Sequence, residues 1–343
     1  MKKIFLTTIA LLSMASATIF GMYGPDSDWI TFLTDGNRFR ARADQLGFTL
    51  GNDTIKGTFG FDNNTGFGGT YGGLLVDNDG THYSFVPSIS MGLAYTSSLI
   101  SVGVGYNATV GSHVEKFNGK TEPKTVNKSA HTPVLVLNAM DNAFRMAIPI
   151  QVFVDNDNTG GTKMTTTVVS FDAQFRYYTG LDALPQIRLY LRYGGGNFKF
   201  GDISEKIGES FGFDFRLYFG SMVEEVALQP IIKLAYNGAL GKYHKNTRVE
   251  AVKIMNGYTV DNLQFAKSAW DLNLVAGLGL TANSDIVSLY LEPQLGLQVT
   301  RKAPSSTQTP GAAPAPVAIA SDSYGLAYNV YAEIYITPLK NLE

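Results

Sequence analysis

The sequence predicts an all-β protein, specifically an antiparallel transmembrane β-barrel of about fourteen strands. The first observation is a regular alternation of apolar and polar residues through 270–300, in two segments separated by 282–285. Successive side chains of a strand point to opposite faces, so this hairpin has one apolar and one polar side. The second observation is length. Each segment has about a dozen residues, whereas a soluble strand has about five or six and a tilted membrane strand needs about 9–11.

The third observation is the spacing of the connections, which alternate between short and long. Short links are predicted at 97–98, 140–143, 180–185, 221–223 and 282–285. Long polar stretches are predicted at 63–82, 111–131, 155–163, 196–209, 238–268 and 301–323. Outer-membrane barrels have short periplasmic turns and long surface loops. A Greek-key sandwich places its long connections irregularly, so the alternation favours the barrel.

The strand count depends on the N-terminal part of the mature chain. Fourteen strands result if 28–35, 37–49 and 54–62 are all strands, and twelve if 24–50 lies inside the barrel or forms a short helix. Turn chemistry at Asp35-Gly36-Asn37 and Gly51-Asn52-Asp53 favours the higher number. The same alternation predicts further strands at 83–96, 99–110, 171–178, 186–193, 211–219, 226–237 and 326–337.

The chain begins with the features of a secretory signal peptide. Lys2 and Lys3 precede the apolar run 4–14, and Ala15-Ser16-Ala17 follows as an A-x-A cleavage site. Cleavage is expected after Ala17, with Gly21 as the second choice. Residues 18–343 are then expected to form a single barrel domain, in which the proline-rich segment 303–319 is a solvated surface loop.

Several function classes are excluded by composition and motifs. The chain has no cysteine and a formal net charge of −2, so neither a disulfide scaffold nor nucleic-acid binding is expected. Gly208–Gly212 matches the nucleophile-elbow pattern, but that motif needs a helix after the serine and an alternating segment follows instead. The histidines fall in predicted loops without ligand spacing, at His82, His113, His131 and His244. We therefore expect no enzyme activity, catalytic residue, cofactor or bound metal.

Charged residues on the polar sides of the strands are expected to face the lumen. They are Arg176, Arg188, Arg192, Asp214, Arg216, Lys233, Asp271, Glu292 and Glu333. One interpretation is a charged constriction that selects solutes, as in a porin-like channel. The other is an ion-pair network that fills and braces the lumen. A soluble secreted β-sandwich adhesin is a further alternative, and its apolar faces would pack between two sheets.

The N-terminal part of the mature chain resembles a known family. The sequences DSDWITFLTDGNRFRAR at 26–42, DQLGF at 44–48 and GNDTIKGTFGF at 51–61 are similar to the variable surface proteins of intestinal spirochaetes, the Vsp family of Brachyspira. The resemblance implies an outer-membrane surface antigen that exposes long loops to the host. It also implies outer-membrane lipid, a homo-oligomer or multi-copy surface complex, and host molecules or antibodies as partners, and it brings no catalytic residues.

Overall fold

The computed structural model of the protein describes residues 28–41, 45–62, 88–115, 124–157, 163–223, 226–240, 270–283, 287–301 and 322–336. The predicted signal peptide at 1–17 and the proline-rich segment 303–319 lie outside these residues. No helix in the described ranges is long and apolar enough to cross a membrane.

The described residues form fifteen β-strands. They are β1 (Arg38–Ala41), β2 (Gln45–Gly51), β3 (Ile55–Asp62), β4 (Ser88–Tyr95), β5 (Ile100–Glu115), β6 (Lys124–Ala139), β7 (Phe144–Asp157), β8 (Met164–Tyr178), β9 (Gln186–Phe200), β10 (Ile203–Tyr218), β11 (Ser221–Val223), β12 (Val226–Ala239), β13 (Trp270–Asn283), β14 (Val287–Arg301) and β15 (Asp322–Ile336).

Fourteen of these strands follow one another in a single antiparallel sheet. The order runs from β1 to β10 and then from β12 to β15, while the short strand β11 pairs only with β12. The sheet therefore has the predicted number of fourteen strands, although 28–35, which that count included, is not one of them. Within the described residues β1 and β15 are not hydrogen-bonded to each other, so the sheet is not closed there.

Contacts along the chain divide it into two compact units, which are described separately. Unit 1 comprises Met1–Gln174, Arg192–Glu209 and Lys245–Val260. Unit 2 comprises Phe175–Leu191, Ser210–His244 and Asp261–Glu343.

On several strands of unit 1 the alternation separates large apolar residues from small and polar ones. In β4, Ser90 and Ala94 are buried, whereas Met91, Leu93 and Tyr95 are exposed, Leu93 at 61%. We call the side with the exposed large apolar residues the apolar face and the opposite side the polar face. The apolar face of unit 1 continues on neighbouring strands through Leu46, Leu50, Phe59, Val102, Val104, Leu135 and Ile150.

Unit 2 shows the same separation in the hairpin of β13 and β14. Leu274 is 50% exposed while its neighbour Val275 is 9% exposed. The register places Leu274 opposite Leu297 and Ala276 opposite Leu295, so both strands present leucines on the same side. The hairpin predicted at 270–300 is therefore confirmed, and its apolar row lies on an exposed face.

The strand predicted at 28–35 is wrong. These residues form consecutive turns, in which the amides of Thr31, Phe32 and Thr34 donate to carbonyls three residues earlier. Trp29, Ile30, Phe32 and Leu33 are all buried. Their spacing of one, three and four residues is that of a helical turn rather than of a strand. The predicted strand 37–49 is also divided, since it contains β1 and the start of β2.

Two of the predicted long loops are wrong in extent. The stretch 196–209 is largely strand, because β9 ends at Phe200 and β10 begins at Ile203. Gly201 makes this tight reversal with a φ of 57°, which glycine adopts without steric cost. The stretch 111–131 is shortened by the ends of β5 and β6.

The predicted short links agree better with the structure. The turn at 140–143 is closed by a hydrogen bond from the Ala143 amide to the Met140 carbonyl of 3.0 Å. The Asn138 side chain donates to the Asn142 side chain across this turn at 2.8 Å. The link at 221–223 is instead strand β11, which folds back on β12.

Candidate functional site

The polar face of unit 1 carries a packed N-terminal segment. We call residues 28–35 the N-terminal turn segment. Its four apolar side chains form a buried cluster with apolar residues of β4, β6 and β7. Phe32 is fully buried, with 0% of its surface exposed. The members contributed by the strands are Ala94, Val134, Val136 and Ala147.

Glycines provide the space into which this segment fits. A Cβ atom added at Gly105 would lie 2.3 Å from the Trp29 ring, and one added at Gly92 would lie 2.9 Å from it. At Gly103 an added Cβ would lie 3.3 Å from Leu33 Cδ2. All three distances are shorter than ordinary van der Waals contact. The glycines of β4 and β5 therefore leave the space that the N-terminal turn segment fills.

Two basic side chains hold the same segment by hydrogen bonds. Lys56 Nζ donates to the carbonyls of Leu33 (2.8 Å) and Asp35 (2.6 Å). Arg145 donates through an Nη atom to Thr34 Oγ1 at 3.0 Å. These donors bind groups at the end of the turn segment, where carbonyl oxygens lack helical partners.

Elsewhere on the polar face of unit 1, buried side chains bond to one another. Asn107 Nδ2 donates to Ser90 Oγ at 2.8 Å. Thr49 Oγ1 donates to Thr58 Oγ1 at 3.1 Å in a buried pair between β2 and β3. Buried polar groups are tolerated when they are paired in this way. Away from the buried cluster of the N-terminal turn segment, the polar face of unit 1 thus carries paired hydroxyls and amides.

The charged residues predicted for the lumen occur in pairs and small groups. In unit 1, Arg192 Nε of β9 lies 3.4 Å from Asp172 Oδ1 of β8. Asp172 is buried and was not among the predicted lumenal charges. Arg176 lies four residues beyond it on β8.

In unit 2, Asp214 is shared by two cations. Arg216 donates to both of its carboxylate oxygens, from Nε at 2.9 Å and from an Nη atom at 2.6 Å. Lys233 Nζ of β12 lies 3.8 Å from the same carboxylate. The register places Arg216 directly opposite Lys233, so the carboxylate offsets the repulsion between two neighbouring cations.

Tyrosines accompany the arginines of unit 2. The Arg188 guanidinium lies 4.5 Å from the Tyr218 ring centroid, and that of Arg216 lies 5.0 Å from the Tyr190 ring centroid. Such cation–π contacts stabilise an arginine in a partly dry setting. Sequence analysis missed these tyrosines. Their signal is the spacing of two residues from an arginine on the same strand, which puts both side chains on one face.

The predicted acidic residues Asp271, Glu292 and Glu333 receive hydrogen bonds from uncharged side chains. Asp271 accepts from Asn273 Nδ2 at 2.9 Å and from Asn237 Nδ2 at 3.4 Å. Glu292 accepts from Tyr290 and Gln294, and Glu333 accepts from Tyr331. Several of the predicted charges are thus brought into local groups, one of which is centred on Asp214.

Two of the histidines and the serine of the nucleophile-elbow pattern lie within strands. His113 and His131 were predicted in loops, which is wrong, because they belong to β5 and β6. His131 Nδ1 lies 2.6 Å from the Tyr106 hydroxyl on the apolar side of the sheet. Ser210 lies inside β10 rather than at a strand-to-helix turn. No group of three or more potential metal ligands occurs in the described residues, and His82 and His244 lie outside them.

The described residues therefore define an antiparallel all-β protein with an exposed apolar face and a polar face of paired charges. The chain belongs to the family of the Serpulina hyodysenteriae variable surface protein, whose sequence model matches residues 2–343. This match confirms the resemblance seen at 26–61 and extends it over nearly the whole chain. No curated protein matches the chain.

Proposed function

We propose that this variable surface protein is an outer-membrane β-barrel whose long connections form a surface antigen exposed to the host. The observation that carries the proposal is the exposed apolar face. Membership of a variable surface protein family supports the location at the cell surface. The barrel itself would result from closure of the sheet, with the apolar face toward lipid.

The extent of the apolar face is the main support. Soluble monomers rarely expose apolar patches larger than about 300–600 Å². Here exposed leucines and valines follow one another on adjacent strands, including Leu93 and Val104 in unit 1 and Leu274 and Leu295 in unit 2. Removing each such side chain from water contributes about 1.5–3 kcal/mol. Lipid contact would supply that free energy along whole rows of strands.

Strand length also supports a membrane location. The strands β5, β6 and β10 have 16 residues each. At about 3.3 Å per residue such a strand is roughly 50 Å long, more than a tilted strand needs to cross an apolar band of about 25 Å. The excess length would carry the strand ends beyond the lipid.

Aromatic residues occur where a membrane interface would lie. In unit 2 the rings of Phe213 and Tyr236 are stacked at 5.9 Å, and those of Tyr236 and Trp270 at 6.5 Å. Trp270 begins β13, directly after the connection 240–269. The Arg301 guanidinium lies 5.3 Å from the Trp270 ring centroid. Aromatic girdles with adjacent basic groups are typical of the ends of membrane strands.

Topology supports loop exposure at one end of the strands. In an antiparallel order, alternate connections leave the sheet at the same end. The connections after β3, β12 and β14 cover 63–87, 240–269 and 302–321 and share one end, whereas the turns at 52–54 and 140–143 share the other. We assign the long connections to the outside and the short turns to the periplasm.

A porin-like channel is the second candidate, and the charged groups around Asp172 and Asp214 on the polar face favour it. The same groups also suit a braced, closed interior, because each of the two carboxylates is paired with at least one cation. A soluble β-sandwich adhesin is less favoured, since its apolar rows would be buried between two sheets. We propose that the protein has no enzyme activity.

Membrane fractionation with antibody labelling tests the proposal. The protein should remain in carbonate-washed membranes and should migrate faster on gels when unheated. An epitope inserted at 303–319 should be labelled on intact cells. A soluble monomer in the periplasmic fraction would contradict the membrane location, and labelling only after lysis would contradict the exposure of the loops.

A further inference from the structure

We infer that the N-terminal turn segment is an internal plug, which occupies the polar face near the short-turn ends of the strands and keeps the interior closed to solutes. The inference rests on the proposed barrel, in which the polar face becomes the inner wall. With residues 28–35 in this position, the barrel is a closed scaffold that displays its surface loops and is not an open channel.

The first support is burial without a place in the sheet. Trp29, Ile30, Phe32 and Leu33 are among the most buried side chains of the described residues, although they belong to no strand of the sheet order. The Trp29 and Phe32 rings pack edge to face at 5.7 Å. A segment of this apolar content would be unstable in a water-filled lumen unless it were packed against the wall.

The second support is the complementary shape of the wall. Gly92, Gly103 and Gly105 lie on the polar side of β4 and β5, and a Cβ atom at any of them would be crowded by the turn segment or the adjacent strand. By contrast, a Cβ atom at Gly57 of β3 would meet only the Gly92 carbonyl oxygen, at 3.9 Å. The turn segment therefore fits against the polar face because these positions are glycines, whereas a methyl group at Gly57 on the apolar face would be accommodated.

The third support is the position of the polar contacts. Lys56 and Arg145 are each the second residue of a strand, in β3 and β7, directly after the short connections at 52–54 and 140–143. Both donate to the end of the turn segment, at Leu33, Thr34 and Asp35. The plug is therefore held at the end of the sheet that we assign to the periplasm.

The test is a substitution that introduces a methyl group into the space occupied by the plug. Gly105→Ala places a methyl group where the Trp29 ring lies, and Gly57→Ala is the matched control on the opposite face. Overpacking of this kind should raise the fraction of molecules with a displaced plug about 5- to 150-fold. In planar bilayers the wild-type protein and Gly57→Ala should conduct rarely, and Gly105→Ala should conduct often.

Two further variants show whether Gly105→Ala changes the conductance by displacing the plug. Trp29→Ala should itself increase conductance, because it removes the largest side chain of the segment. Adding Gly105→Ala to Trp29→Ala should then produce little further change. Equal conductance of the wild-type protein, Gly105→Ala and Trp29→Ala would overturn the inference, as would a frequently open wild-type protein.

Tryptophan fluorescence separates failure of the plug from failure of the barrel, since the chain contains only two tryptophans. In lipid vesicles, Trp270 should be quenched by brominated lipid, measured in Trp29→Phe. Trp29 should be protected from both brominated lipid and acrylamide, measured in Trp270→Phe. Acrylamide access to Trp29 with lipid quenching of Trp270 would refute the plug alone. Absence of lipid quenching at Trp270 would refute the proposed barrel, and the plug with it.

Discussion

A single arginine on the apolar face should destabilise the protein far more than the same residue on the polar face. Leu295 lies near the middle of β14 (Val287–Arg301) and is 61% exposed. In the proposed barrel this position lies near the midplane of the membrane. Leu295→Arg therefore places a cation in hydrocarbon. Gln294→Arg is the matched control, because it changes the adjacent residue on the opposite face.

The expected magnitudes follow from the two environments. An arginine on the lipid face of a barrel near the midplane costs about 2–4 kcal/mol, equivalent to roughly a 30- to 700-fold shift in the folding equilibrium. At position 294 the side chain already donates to Glu292. An arginine there gains a carboxylate partner, so its cost should stay below about 1 kcal/mol.

Urea unfolding in lipid vesicles measures both free energies of unfolding. The prediction requires a clear loss for Leu295→Arg and a near-native value for Gln294→Arg. If the two variants are equally stable, or if Gln294→Arg is the less stable one, then the apolar face does not contact hydrocarbon and the reasoning fails.

Three further outcomes are expected. Asp214→Asn leaves two cations side by side and should lower the free energy of unfolding by about 1–3 kcal/mol, whereas Asp322→Asn, in the exposed pair that Asp322 forms with Arg301, should cost less than about 1 kcal/mol; chemical unfolding compares them, and equal costs would contradict the bracing role. Phe32→Ala should cost about 3–5 kcal/mol through the cavity it leaves, and an unchanged melting temperature would show that the turn segment is not packed. An epitope at 303–319 should be accessible on intact cells and one at 140–143 should not, so the reverse labelling pattern would invert the assigned topology.

The general arrangement of the sheet was predictable because period two is a local property of the chain. In β13 and β14 each residue's face follows from its position in the alternation, and the hairpin register follows from the turn between them. Residues that share a face, such as Arg216 and Lys233, could therefore be placed together before the structure was known. The distances that make Asp214 the common partner of both depend on side-chain rotamers, which the alternation does not specify.

The N-terminal turn segment was not predictable in the same way. Its apolar residues are as dense as those of a strand, and turn residues at Asp35-Gly36-Asn37 favoured a hairpin. Tertiary contacts decide its conformation. The glycines at 92 and 105 open a space for Trp29 that a strand partner would not need. Likewise, the polarity of 196–209 suggested a loop, but these residues pair as strand, and in the proposed barrel they would extend beyond the membrane.

A nitroxide scan along β13 tests the central claim most directly. The chain has no cysteine, so single cysteines can be introduced and spin-labelled at each position from Trp270 to Asn283. In lipid vesicles, collision with oxygen should be greatest at even-numbered positions such as Leu272 and Leu274, with a period of two residues. Maxima at the odd-numbered positions, or no periodicity at all, would contradict an apolar face in contact with lipid.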